Sequence, residues 1–251
     1  MSKVLTAEVV GRKDLTDDLF ILWLAPRTAE KFSFKPGQYC TIGMGGIWRA
    51  YSIVSAPHEE HLEFFVELLP DGKLTPLLHK LKVGDSVDLL PRAKGIFIFE
   101  PQYKNHVMVA TVTGIVPYVS ILRDFVCRSL SSGLREEEVG SNFYILHGAS
   151  YMDEFGYYDE LSHLEDTCPL SDMTVIYVPT ISRPNEDRNS GWEHQETGRV
   201  NIVVEDFLRG TYLRADKTLI YACGHPGMIN DVKARLLPKG WKVKEERFWK
   251  G

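Results

Sequence analysis

The stretch HVMVATVTGIVP, residues 106–117, changes the rhythm of the chain. It is near-continuously apolar from His106 to Val112, meets a turn at Thr113-Gly114 and opens a helical pattern at Val116. Three more apolar runs of strand length follow, Phe143–His147, Thr174–Val178 and Thr218–Ala222. Between and after them lie helix-like segments, Val116–Leu130, Glu154–Leu164, Val200–Leu208 and Pro226–Leu237. Strands that are apolar on both faces and spaced by helices build a parallel sheet covered on both sides. The spacing therefore predicts an α/β domain with a parallel sheet over residues 101–251.

Upstream of Pro101 the period is two. Phe20, Leu22 and Leu24 alternate on one face, then Leu62, Phe64, Val66 and Leu68, then Val83, Val87 and Leu89. Turn signals at Pro36-Gly37, Gly45-Gly46, Asp71-Gly72 and Gly84-Asp85 punctuate them. That pattern predicts a small antiparallel β-barrel over residues 1–100, with the domain boundary near residues 99–104. One long irregular segment, Ser182 to Gly198, interrupts the second domain.

Composition narrows the function classes. With 251 residues, 44% of them apolar, the chain can bury cores without disulfides or a structural metal. Cys40, Cys127, Cys168 and Cys223 are scattered with no CxxC pair, so no metal site is expected and any one-electron metal centre must sit on a partner. Free thiols and an N-terminus, Met1 to Thr6, without the look of a secretory signal point to the cytoplasm. The apolar stretch Val107 to Leu122 is too short and too polar to span a bilayer, so no membrane partner is expected. A net charge of −5 disfavours nucleic acid. The charge is uneven: Lys233 to Gly251 carries a local +5 on an otherwise acidic chain, a face able to steer a small acidic protein. A solvated Lys-rich helix and strand would look the same.

The most specific chemistry begins at Arg49-Ala50-Tyr51-Ser52. On an extended segment Arg49 and Tyr51 share a face, with the Ser52 hydroxyl beside them. A flavin dinucleotide needs those three groups: a cation for its pyrophosphate, a ring to stack on the isoalloxazine, and a hydrogen bond near N5. Barrel strands also carry Arg and Tyr for packing, so the tetrapeptide alone leaves both readings open. Downstream, Gly72-Lys73-Leu74-Thr75-Pro76 leads into a helix-like stretch, a natural anion cradle. Thr111 to Pro117 lies at the end of the first buried strand, where nucleotides bind in open α/β sheets. Cys223-Gly224-His225-Pro226-Gly227-Met228 repeats that strand-to-helix geometry.

At these residues the chain resembles the ferredoxin–NADP reductase family, and in particular its bacterial branch of ferredoxin/flavodoxin reductases. The resemblance implies FAD in the barrel and NADP(H) in the α/β domain, with five strands in its parallel sheet. It implies that Arg49 contacts the FAD pyrophosphate, Tyr51 stacks on the flavin and Ser52 approaches N5, with Ala50 beside them. Phe64, Phe65, Val66 and Glu67 would line FAD, Lys73, Leu74 and Thr75 would hold its phosphates, and Phe248 or Trp249 would cover the flavin or its adenine, the alternative being a last strand that buries Trp249. It implies Thr113 for both FAD and NADP and, on the NADP side, Gly114, Gly224 and Met228, with Cys223 close to hydride transfer. For the 2′-phosphate it points to Arg183 in Thr180-Ile181-Ser182-Arg183 and Arg199 in Thr197-Gly198-Arg199-Val200, since a guanidinium fork suits phosphate. Arg188 is a third candidate, or a solvated loop residue. Two positions depart from the family: Val112 stands where a glycine is usual, and Ser150 where the bacterial branch has an arginine. On the family's pattern the Ser150 change would remove one phosphate contact, roughly a tenfold to hundredfold effect.

The implied reaction takes hydride from NADPH and passes single electrons to ferredoxin or flavodoxin, docked on the basic C-terminal face of a monomer. No general base is needed, so His79, His147 and His225 read as structural. A stand-alone oxygenase reductase, a free-flavin reductase and a non-catalytic flavin-binding module are the competing readings.

Overall fold

The computed structural model describes residues 4–167, 173–193 and 196–247. It divides into two compact units: Met1–Phe99 with Val116–Asp124, and Glu100–Ile115 with Phe125–Gly251.

In the first unit six strands form one antiparallel sheet: β1 (Leu5–Asp14), β2 (Leu19–Pro26), β3 (Tyr39–Met44), β4 (Ile47–Ser52), β5 (Leu62–Glu67) and β6 (Ser86–Leu89). Their order is β4-β3-β6-β1-β2-β5, and the sheet curls into a nearly closed barrel. Its end strands approach where the Val54 N–H, just after β4, donates to the Glu63 carbonyl of β5 at 2.9 Å. The period-two pattern fills the barrel as the pleat requires, with Phe20, Leu22, Leu24, Phe64, Val66, Val87 and Leu89 in one core. The short helix α1 (Thr75–Leu78) plugs that core with Leu74, Leu78 and Leu81.

Val83 departs from the expected alternation and is exposed. Residues 82–85 form a turn in which the Asp85 N–H reaches the Lys82 carbonyl at 3.0 Å and Gly84 adopts φ +96°. The strand therefore starts three residues later, at Ser86.

The second unit runs β7 (Asn105–Thr111), α2 (Val116–Leu130), β8 (Asn142–Ala149), α3 (Tyr158–Thr167), β9 (Val175–Ile181), α4 (Val200–Gly210), β10 (Thr218–Gly224), α5 (Pro226–Leu236) and β11 (Lys242–Arg247). The first turns of α2, Val116–Asp124, cluster with the barrel unit. The five strands are parallel in the order β11-β10-β7-β8-β9. From β7 the chain grows outward to β8 and β9, then returns to the other side for β10 and β11. The reversal falls between β7 and β10, where crossovers leave in opposite directions and a crevice opens at the strands' carboxyl ends. Helix α3 begins later than the periodicity predicts, because residues 152–154 form a 3₁₀ turn and Phe155 packs with Ala149 and Ile181.

Candidate active site

Strands β4 and β5 are the two ends of the barrel sheet, so the predicted tetrapeptide Arg49–Ser52 lies on an edge. Arg49 is exposed and its guanidinium donates to the Trp48 carbonyl at 2.8 Å. Every arginine in the chain except Arg49, Arg92 and Arg199 forms an ion pair with a described carboxylate. An uncompensated guanidinium on a strand edge fits a diphosphate. Tyr51 packs against the barrel core, and burial pushes its phenol up to about 12, so it presents a neutral ring. Ser52 is buried and Ala50 exposed. On β5, Phe64 and Val66 point into the core; Phe65, opposite Ile21 of β2, is buried as well, and Glu67 is half-buried.

The predicted cradle at residues 73–75 is arranged differently. Helix α1 is a single turn, and the Thr75 hydroxyl closes the preceding loop, accepting from the Leu69 N–H at 3.0 Å and donating to the Leu69 carbonyl at 3.1 Å. Leu74 belongs to the core and Lys73 is exposed. Phe248 and Trp249 lie outside the described residues.

In the second unit the two predicted strand-to-helix turns meet at the reversal point. A Cβ at Gly114 would lie 2.3 Å from the Cys223 carbonyl oxygen, and one at Gly224 would lie 2.3 Å from the Thr111 hydroxyl. Gly224 also has φ +122°, and the Thr111 hydroxyl accepts the His225 N–H at 2.9 Å. The His225 Nδ1 then accepts the Gly227 N–H at 3.0 Å and caps α5, so its role is structural. Thr113 is buried within its turn. Cys223 is fully buried, and burial holds its thiol protonated. Met228, in the first turn of α5, is buried in one core with Val109 and Ile220.

Val112, the position without the usual glycine, has φ +42°. That is the left-handed region, costing an L-residue about 1–2 kcal/mol. Its side chain offsets part of the cost by packing against Ala149, Phe155 and Ile181 beside Trp192. Val112→Ala, which loses the packing and keeps the backbone cost, should therefore be less stable than Val112→Gly by about 1 kcal/mol in urea unfolding. Equal stabilities would mean that the turn relaxes out of the left-handed region.

The long segment after β9 folds against the residues after β8. Arg183 donates to the Tyr151 hydroxyl at 2.7 Å, and that hydroxyl donates to Glu186 at 2.6 Å. The Arg183 and Arg188 guanidinium carbons lie 5.3 and 4.1 Å from the Tyr151 ring centroid, and Arg188 pairs with Asp153 at 2.7 Å. Asn189, almost fully buried, donates to the carbonyls of Ser150 and Arg183, both at 2.9 Å, and so ties the two loops together. Arg199 stands exposed at the N-terminus of α4 behind Gly198, φ +112°. The close packing of Gly148 on Val200 brings this helix end against β8. Tyr151, Asp153, Glu186 and Asn189 are not legible as site residues in the sequence, since in these loops only Ser150, Arg183 and Arg188 stand out and acidic loop residues are common.

Among the described residues no cluster of His, Cys, Asp or Glu could hold a metal ion, and no helix is long and apolar enough to cross a membrane.

The sequence matches the family models of an oxidoreductase FAD-binding domain over residues 6–93 and an oxidoreductase NAD-binding domain over residues 108–234. Barrel and parallel sheet together thus define a flavin- and nicotinamide-dependent oxidoreductase. The ferredoxin–NADP reductase of Pseudomonas aeruginosa is 30% identical over 254 residues, 97% of this chain and 93% of that one. The flavodoxin/ferredoxin–NADP reductase of Escherichia coli is 29% identical over 245 residues, 93% and 90% of the two chains. The crystal structure of a ferredoxin NADP+ reductase from Neisseria gonorrhoeae with bound FAD and NADP superposes with a TM-score of 0.80 at 25% identity, covering 99% of this chain and all of that one. The chain belongs to the flavodoxin/ferredoxin–NADP reductase family.

Proposed function

We propose that this protein is an FAD-dependent ferredoxin (flavodoxin)–NADP reductase, exchanging hydride with NADPH and single electrons with a small carrier protein. The observation that carries the reading is that, of the three arginines without an ion pair to a described carboxylate, Arg49 lies on the barrel edge and Arg199 at the start of α4, one in each nucleotide-binding unit. Bound FAD supplies the conversion between a two-electron donor and a one-electron acceptor. The chain's part is to bind and orient. Arg49 holds the diphosphate, Tyr51 offers a neutral stacking plane and Ser52 a hydroxyl, while Lys73 and the neighbouring backbone amides take the remaining phosphate charge. The turns at Thr113-Gly114 and Cys223-Gly224 carry the nicotinamide nucleotide. With its thiol held protonated, Cys223 acts by shape, neither as nucleophile nor as proton donor.

Arg199 should dominate recognition of the 2′-phosphate. Arg183 already carries Tyr151 and Glu186, which a phosphate would have to displace. Arg199→Ala should raise the KM for NADPH about tenfold to hundredfold, leaving NADH nearly unaffected, and Arg183→Ala should cost less. A larger loss in Arg183→Ala would reverse that order.

The carrier is proposed to be an acidic ferredoxin or flavodoxin. Glu100, Glu205 and Asp231 neutralise part of the basic segment, through pairs with Lys244, with Arg235 and Lys239, and with Arg235. The salt dependence of docking should accordingly be shallow. The deciding experiment is anaerobic addition of NADPH to the FAD-loaded protein, followed by ferredoxin- or flavodoxin-dependent cytochrome c reduction. A flavin band that does not bleach would end the reading.

A further inference from the structure

His147 lies on β8, fully buried, with one ring nitrogen on each of two specific partners. Its Nε2 is 2.9 Å from the carbonyl oxygen of Val112, and its Nδ1 is 3.2 Å from the Tyr177 hydroxyl on β9. A carbonyl can only accept, so Nε2 carries the proton and Nδ1 is the acceptor for the phenol. Burial depresses the imidazole to about 4 and raises the Tyr177 phenol, which keeps both groups neutral and the polarity of the chain fixed: Tyr177 O–H to His147, His147 N–H to Val112. The acceptor is the residue whose backbone is held at φ +42°, at the head of the turn that carries Thr113 and Gly114. The ring of His147 also meets Phe155 edge-on at 4.9 Å, and Phe155 stacks on Trp192 at 5.6 Å in the cluster that receives the Val112 side chain.

We propose that His147 is a positioning residue for the nicotinamide nucleotide, its Nε2–H holding the Val112 carbonyl and so keeping the Val112–Ile115 turn in its left-handed entry, with Tyr177 setting the tautomer. The inference rests on the reading of that turn as part of the nucleotide site. A valine in this conformation needs external support, because a β-branched residue favours the extended region. The carbonyl is fixed by His147 and the side chain by the Phe155 cluster. A glycine at position 112 would need neither.

The test is a double-mutant cycle on the FAD-loaded protein, read by NADP+ titration of the flavin spectrum, steady-state kinetics and urea unfolding. His147→Leu should weaken NADP+ binding and raise the KM for NADPH about tenfold, the net worth of one buried hydrogen bond, with kcat changed less than about twofold. In the Val112→Gly background the same substitution should cost about twofold or less, since glycine adopts positive φ unaided. His147→Gln, whose amide can still donate, should recover part of the loss, and Tyr177→Phe should show a smaller loss of the same kind. Should His147→Leu fail to fold, the Gln and Phe variants carry the comparison. A His147→Leu penalty equal in both backgrounds, or a loss of stability with unchanged NADP+ affinity, would overturn the proposal. Gly114→Ala separates the two levels. If it too leaves NADP+ affinity unchanged, the turn is not the nucleotide site; if it weakens binding while His147→Leu does not, only the role of His147 falls.

Discussion

Gly114→Ala is expected to weaken NADP+ and NADPH binding by about two orders of magnitude while leaving FAD in place. A methyl at this position would stand 2.3 Å from the Cys223 carbonyl oxygen and 2.7 Å from its carbon. Both atoms are backbone of β10, an interior strand paired on one side with β7 and on the other with β11, so they cannot swing aside as a side-chain end would. The lighter element, the turn Val112–Ile115, has to yield. Forcing a methyl into packed backbone costs about 1–3 kcal/mol of stability. A displacement of binding groups by about 1 Å is enough to account for a hundredfold loss at the ligand. FAD is spared because its proposed contacts, Arg49, Tyr51 and Ser52, lie in the barrel. The measurement is NADP+ titration of the yellow protein beside urea unfolding, and wild-type affinity in a folded variant would remove this turn from the nucleotide site.

Glu138→Ala is expected to lower the unfolding free energy at pH 7 by about 3 kcal/mol, at the low end of the range for breaking a buried ion pair. The Glu138 carboxylate is 1% exposed and accepts from Arg128 at 2.8 Å, from the Arg135 side chain at 3.0 Å and from the Arg135 N–H at 2.8 Å. Arg135 is 61% exposed, so its side chain contributes little by itself, and Arg128 with the backbone donor carries most of the effect. Burial works against the charged carboxylate, but the hydrogen bonds of Arg135 and Arg128 overcome it and hold the group down at about 2. Its folded value therefore lies below its unfolded one, near 4.3. The stabilisation is complete above the unfolded value and is lost as pH falls through the folded one. Glu138→Gln should match this behaviour: its deficit against the wild type is largest above about pH 5 and shrinks toward pH 2. A pH-independent deficit would show that shape rather than charge holds the loop between α2 and β8.

The two periods of the sequence carried the architecture. Alternation up to Leu89 and double-faced apolar runs after Pro101 are local consequences of how strands bury one face or two, so barrel and parallel sheet could be read without any contact between distant residues. The same holds for the positions of the two strand-to-helix turns, since Thr113-Gly114 and Cys223-Gly224 each follow directly on a buried run. Thr75 shows the limit. Its place before a helix-like stretch was legible, whereas the engagement of its hydroxyl with Leu69 depends on how the intervening loop closes. Val83 failed for a related reason, because a turn hydrogen bond outweighed a period-two position.

By itself, then, the sequence determined two domains, their fold classes and the arginine, aromatic and glycine positions through which the family is recognised. Tertiary structure alone decided what the departures mean. Val112 read as a missing glycine; the fold shows a valine held in a glycine's conformation, its carbonyl on His147 from β8 and its side chain among Phe155 and Trp192. Arg183 and Arg199 were both candidates for the 2′-phosphate, and among the described residues only Arg183 has a carboxylate partner. The Arg183 pairing is local, with Glu186 three residues on, but the support of Val112 rests on partners dozens of residues away, brought together by the register of β7 and β8, a property that no local spacing encodes.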